Sequence, residues 1–144
     1  MANSQALAGK WTYRSFLNDP VQVLADPHPN AKLRSLLFAE AVFTFAIPDD
    51  TTLTGAIDWT GGGLDLQGKI SSQGDALTVH IIGNGRPGTG TENWEYDYHA
   101  ALAFQWPNGV NQVPTIVGTV LRAKPHGDDD PAGVTASFIA VKQP

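Results

Sequence analysis

Apolar and polar side chains alternate with period two along most of the chain, the spacing of strands that bury one face. Eight segments follow it: residues 7–16, 41–47, 52–60, 64–70, 76–83, 93–106, 115–123 and 134–142. The sixth is the longest. Trp94, Tyr96, Tyr98, Ala100, Leu102, Phe104 and Trp106 share one of its faces, and Glu95, Asp97, His99, Ala101, Ala103 and Gln105 share the other. A helix would scatter these rings around its circumference, so the spacing predicts a strand. The breaks carry turn chemistry: Pro48-Asp49-Asp50, Gly61-Gly62-Gly63, Ser72-Gln73-Gly74-Asp75 and Pro107-Asn108-Gly109 are short, whereas residues 83–90 and 124–133 are longer. Residues 19–40 depart from the pattern. Pro20, Pro27 and Pro29 precede Asn30, a helix-capping type, and Leu33, Leu36 and Leu37 then follow at i, i+3, i+4, which predicts a short helix.

Short links make sequential strands antiparallel neighbours, and eight of them close into an up-and-down β-barrel that leaves no exposed edge. A two-sheet sandwich is the competing architecture. No segment recurs at a fixed period, and the length of 144 residues suits one domain spanning 1–144. In a meander the odd-numbered links gather at one end, and these include the long ones. That end is expected to be a binding mouth and the opposite end a closed base. Strand directions then set Tyr13, Phe43, Trp59, Ile81, Trp94 and Tyr96 near the mouth. Trp11, Ile47, Leu53, Ile70, Leu77, Phe104 and Trp106 fall near the base.

Charge narrows the partners. Nine Lys and Arg stand against 14 Asp and Glu, a net charge of -5, which argues against nucleic acid or an anionic membrane surface. No apolar run is long enough for a membrane span. The first eight residues lack the apolar stretch of a secretory signal, so a cytoplasmic location is expected. The absence of cysteine removes disulfides, thiolate metal sites and cysteine nucleophiles. The last two segments carry apolar residues on both faces, Ile116 and Val120 opposite Val117 and Leu121, and Val134 and Phe138 opposite Ile139 and Val141. Cover on both sides is therefore expected, from the predicted helix or from a homodimer through strands seven and eight.

Leu7-Ala8-Gly9-Lys10-Trp11 sets a Gly-x-Trp at the start of the first strand. In this the chain resembles the calycin superfamily, the lipocalin and avidin-like barrels, where the indole plugs the closed end of an eight-stranded antiparallel meander. The long first connection is similar to a lipocalin lid. No Arg follows the eighth strand to cover Trp11, a departure from the lipocalin pattern. The resemblance implies a small-ligand barrel without naming the ligand.

The candidate ligand contacts are Tyr13, Trp59, Trp94, Tyr96 and Tyr98, since aromatic walls with polar tips suit apolar or aromatic small molecules. Arg86, in the long mouth loop, is a candidate for neutralising an anionic ligand. His28, His80, His99 and His126 show no metal spacing, and His80 and His99 fall on outward faces. His126-Gly127-Asp128-Asp129-Asp130 lacks the distal Glu of a calcium loop and is expected to be an acidic hairpin tip. No catalytic residue, metal or cofactor is assigned. Beside the binding reading stand two others: an isomerase- or cyclase-type barrel enzyme with Tyr96 or Tyr98 as general acid, and a structural domain whose lumen its own rings fill.

Overall fold

The computed structural model describes residues 3–18 and 36–144. Its strands are β1 (Gly9–Leu17), β2 (Leu37–Asp49), β3 (Thr52–Trp59), β4 (Gly62–Gln73), β5 (Ala76–Gly85), β6 (Glu95–Leu102), β7 (Thr115–Arg122) and β8 (Thr135–Lys142). Each pairs antiparallel with its sequence neighbours, and β1 pairs with β8, so the eight strands form a closed barrel rather than a sandwich. The period-two pattern explains this directly. Trp11 and Tyr13 of β1, Phe43 and Phe45 of β2, Leu53 and Ile57 of β3, and Val79 and Ile81 of β5 all point inward and are buried. Closure of eight strands demands strong local coiling. Gly55 permits it: a Cβ there would collide with the carbonyl oxygen of Thr44, so only glycine lets β2 and β3 approach so closely.

The base is sealed by the N-terminus. Residues Ser4–Leu7 form a 3-10 turn across it. Ser4 Oγ donates to the carbonyl of Asp50, and Gln5 Nε2 donates to that of Ile47. Leu7 enters the barrel, and Trp11, wholly shielded from solvent at 0% exposure, donates its indole N–H to the Leu7 carbonyl at 2.9 Å. The indole is thus both buried and satisfied, as a tryptophan plug requires. Lys142, at the end of β8, holds its ammonium 5.5 Å from the Trp11 ring centroid and donates to the Ala6 carbonyl. A lysine therefore occupies the place over Trp11 where no arginine stands in the sequence.

Four rings fill the middle of the lumen. Tyr13 meets Phe43 at 4.8 Å and Phe138 at 5.2 Å, and Tyr98 meets Phe43 at 5.5 Å and Phe138 at 5.9 Å. Most of these contacts are edge-on, the arrangement aromatic quadrupoles favour. The lower and central barrel is packed with buried side chains, and a cavity opens above them.

Three expectations need correction. The sixth segment does not run to Trp106: β6 ends at Leu102, and Phe104 and Trp106 lie outside the barrel, 71% and 80% exposed. The last bond to β7 runs from the Ala103 N–H to the Thr115 carbonyl, and beyond it the Gln112 side chain clasps the backbone of Trp106, accepting from its N–H and donating to its carbonyl. This makes residues 103–114 a long link at the base, which was expected to be uniformly short or moderate. Of the predicted helical stripe, Leu36 is helical at the edge of the described residues. Leu37 opens β2, while Asn30 and Leu33 lie outside the described residues. Leu7 belongs to the 3-10 turn and not to the first strand.

Candidate functional site

At the loop-rich end the strands diverge around a cavity of about 530 Å³. Its deep side is formed by Tyr13, Ile57, Tyr98 and Val120, the top of the aromatic core. Its walls are Phe38 of β2, Trp59 at the end of β3, Trp94 just before β6, and Tyr96. Strand alternation accounts for the placement, since Tyr96 and Tyr98 are two residues apart on the inward face of β6. Trp59 and Trp94 lie 6.2 Å apart at 18°, carrying the apolar wall from one side of the mouth to the other. The loop between β5 and β6 that delivers Trp94 is held down by Thr91, whose buried hydroxyl donates to the carbonyl of Gly63.

Against these rings stands a polar set that sequence reasoning did not identify. Arg122 ends β7 with its side chain turned into the lumen and is only 7% exposed. Its Nε donates to Tyr96 Oη at 2.9 Å, and its Nη1 donates to the Pro131 carbonyl at 3.3 Å. The guanidinium also lies 5.4 Å from the Phe38 ring centroid. On the other side of the phenol, His126 Nε2 is 2.9 Å from Tyr96 Oη. His126 is stacked on Trp94 at 3.8 Å, and its Nδ1 is 3.6 Å from Asp130 Oδ2. The order Asp130, His126, Tyr96, Arg122 therefore runs as one polar line along an otherwise aromatic rim.

Protonation follows from these surroundings. Burial, seconded by the positive charge of Arg122, lowers the His126 pKa, so the imidazole is neutral near pH 7. Burial raises the pKa of Tyr96, and the hydrogen bond from Arg122 opposes that rise. Tyr98 and Tyr13 are shifted upward more strongly by burial. All three phenols are thus neutral at physiological pH and able to donate a proton in a hydrogen bond.

The five aromatic candidates, Tyr13, Trp59, Trp94, Tyr96 and Tyr98, all line this one cavity. Arg86 does not. It lies on the outer surface, where its Nε donates to Asp65 and its Nη1 to Asp58, both at 2.9 Å, and so anchors the loop after β5. His126, expected at a solvated tip, instead folds back onto Trp94. The signal for Arg122 was in the sequence: Ile116, Gly118, Val120 and Arg122 continue the inward positions of β7, so the last of them had to enter the lumen. Nothing local marked His126, because its position depends on how the loop between β7 and β8 returns.

His80 and His99 are exposed on the outer face, directly paired across β5 and β6 and stacked at 4.0 Å. Among the described residues, no group of three or more His, Asp or Glu is arranged to hold a metal ion, and no helix is long and apolar enough to cross a membrane. Comparison with protein-family models, with curated proteins and with solved structures gives no significant match to this chain.

Proposed function

We propose that this barrel binds a small, largely apolar or aromatic molecule in its mouth. The observation that carries the reading is the convergence of Trp59, Trp94, Tyr96, Tyr98 and Tyr13 on one cavity of about 530 Å³ above a lumen that is otherwise filled. A structural barrel has no need of such a hollow, because apolar side chains could have extended the core upward as they do below. Pockets of this size, mostly apolar with a few convergent polar groups, are the usual form of a small-molecule site. The closed eight-stranded antiparallel meander and the Trp11 plug fit a calycin-like layout and support the same reading.

N-Phenyl-1-naphthylamine, a neutral fluorescent probe, tests this. Saturable binding of one molecule per chain is expected, with quenching of tryptophan emission. Trp94→Ala should weaken it by about tenfold, as loss of one aromatic wall implies, while far-ultraviolet circular dichroism stays unchanged. Absence of saturable binding, or full affinity in the Trp94 variant, would overturn the proposal.

A second reading, proton-transfer catalysis at Tyr96, is favoured by one observation: the phenol oxygen sits between a guanidinium donor and a neutral imidazole, both at 2.9 Å. It predicts turnover of enolisable carbonyl compounds that is lost in Tyr96→Phe. Binding of such compounds without turnover would rule it out.

A further inference from the structure

Among the described residues, Arg122 is the one cation lining the mouth cavity. A guanidinium cannot shed its charge, and a buried charge is costly unless an anion or a full set of acceptors meets it. The chain meets it incompletely. Nε and Nη1 each have an acceptor, but Nη2 donates no hydrogen bond among the described residues; the nearest acid is Asp130 Oδ1, 3.9 Å away. Asp130 is itself half-exposed on the loop between β7 and β8, with its other oxygen turned toward His126. It stands where an arriving anion would stand, at a distance too long for a bond.

We propose that Arg122, with Tyr96 beside it, receives the carboxylate of the ligand, and that Asp130 is the internal counter-charge this carboxylate displaces. The ligand class is then a monocarboxylate with an aromatic or aliphatic body, its body lying along Trp59 and Trp94. This deepens the mouth-binding reading and rests on it. A planar carboxylate matches the guanidinium fork and meets its charge, whereas a neutral head supplies at most a hydrogen-bond acceptor. A dianion is disfavoured by the other lining charges, Asp130 and Glu40, although Glu40 is paired with Arg14 at 3.2 Å.

The test compares ligands of one shape and different heads. Calorimetric titration of the full chain with 2-naphthoate, 2-naphthamide and 2-naphthyl phosphate at pH 8 should give tightest binding for the carboxylate, by about tenfold over the amide. Arg122→Met should abolish the carboxylate's advantage over the amide, costing the carboxylate about tenfold more than the amide. Asp130→Asn, a change on a half-exposed side chain, should raise carboxylate affinity and so widen the carboxylate's advantage over the amide. That variant keeps the proposal testable should Arg122→Met fail to fold. Equal binding of carboxylate and amide, tightest binding of the phosphate, or an Arg122→Met protein that still prefers the carboxylate would each overturn the carboxylate assignment while mouth binding stood. Failure of all three compounds and of the neutral amine to bind would overturn both.

Discussion

The imidazole of His126 lies flat on the indole of Trp94, 3.8 Å between centroids and 16° from parallel, and this contact holds its Nε2 against the Tyr96 hydroxyl. Arg122 already donates into the Tyr96 oxygen, so the phenol's own proton points to His126 Nε2. With Nε2 as the acceptor, the imidazole proton resides on Nδ1, toward Asp130. Protonating Nε2 would reverse the bond to Tyr96 and set a second positive charge near Arg122.

His126 is therefore expected to titrate below the ordinary histidine value of about 6.5, lowered first by burial and then by Arg122, with Asp130 opposing. Because the unfolded chain takes up this proton more readily, the contribution to stability is complete above the unfolded value. It is lost as pH falls through the lower, folded one. Nitrogen-15 NMR of the imidazole should show the Nδ1–H tautomer at pH 7 and a midpoint below the ordinary histidine value of about 6.5. A midpoint at or above that value would contradict the assigned hydrogen-bond line.

The three tyrosines give the alkaline counterpart. Burial raises the pKa of Tyr13, Tyr96 and Tyr98, most strongly for Tyr98 and Tyr13. Their folded values exceed the unfolded value of about 10, so the stabilisation is complete below that pH and declines as pH climbs toward the folded values. A spectrophotometric titration should show no phenolate step at the ordinary value. Absorbance should rise only together with loss of the barrel's circular dichroism. A reversible step near the ordinary value in folded protein would place at least one ring in solvent.

Trp11 and Trp106 were alike in the sequence, each on the apolar face of an alternating segment and each assigned to the base, yet one is wholly buried and the other 80% exposed. Trp11→Ala is expected to cost about 3–5 kcal/mol, the usual range for emptying a buried aromatic site. Trp106→Ala should change stability by no more than about 0.5 kcal/mol. Denaturant unfolding of both variants decides it, and comparable losses would show that the segment after β6 enters the core.

That contrast also marks what alternation could reveal. Period two is enforced wherever one sheet face meets the core, so Phe43, Leu53, Leu66, Val79, Tyr96 and Tyr98 were legible as inward positions, and with them the barrel and its aromatic mouth. Alternation says which face a residue would take in a strand and is silent on where pairing stops. Phe104 and Trp106 kept the spacing beyond the last ladder bond. Arg122 obeyed the same rule, but apolar residues on both faces of β7 left its inward face unmarked. His126 and Asp130 reach the site only because the loop between β7 and β8 folds back over the rim, a tertiary event with no local signature.

Val117 and Ile139 lie directly opposite each other across β7 and β8, on the outer face, 43% and 41% exposed. Around them the outward positions Thr115, Thr119 and Leu121 of β7 and Thr135, Ser137 and Val141 of β8 carry no charge, and neither does any residue from 100 to 121. In a chain of net charge -5, a second copy meeting this face through a two-fold axis encounters no like charge. Self-association through strands β7 and β8 is the expected outcome. Sedimentation equilibrium should report a dimer. Val117→Lys, a change on an exposed position that leaves the barrel interior intact, should weaken it by about tenfold or more by placing two ammonium groups at the shared face. A monomer at every concentration, or a dimer indifferent to Val117→Lys, would assign that uncharged surface some other role.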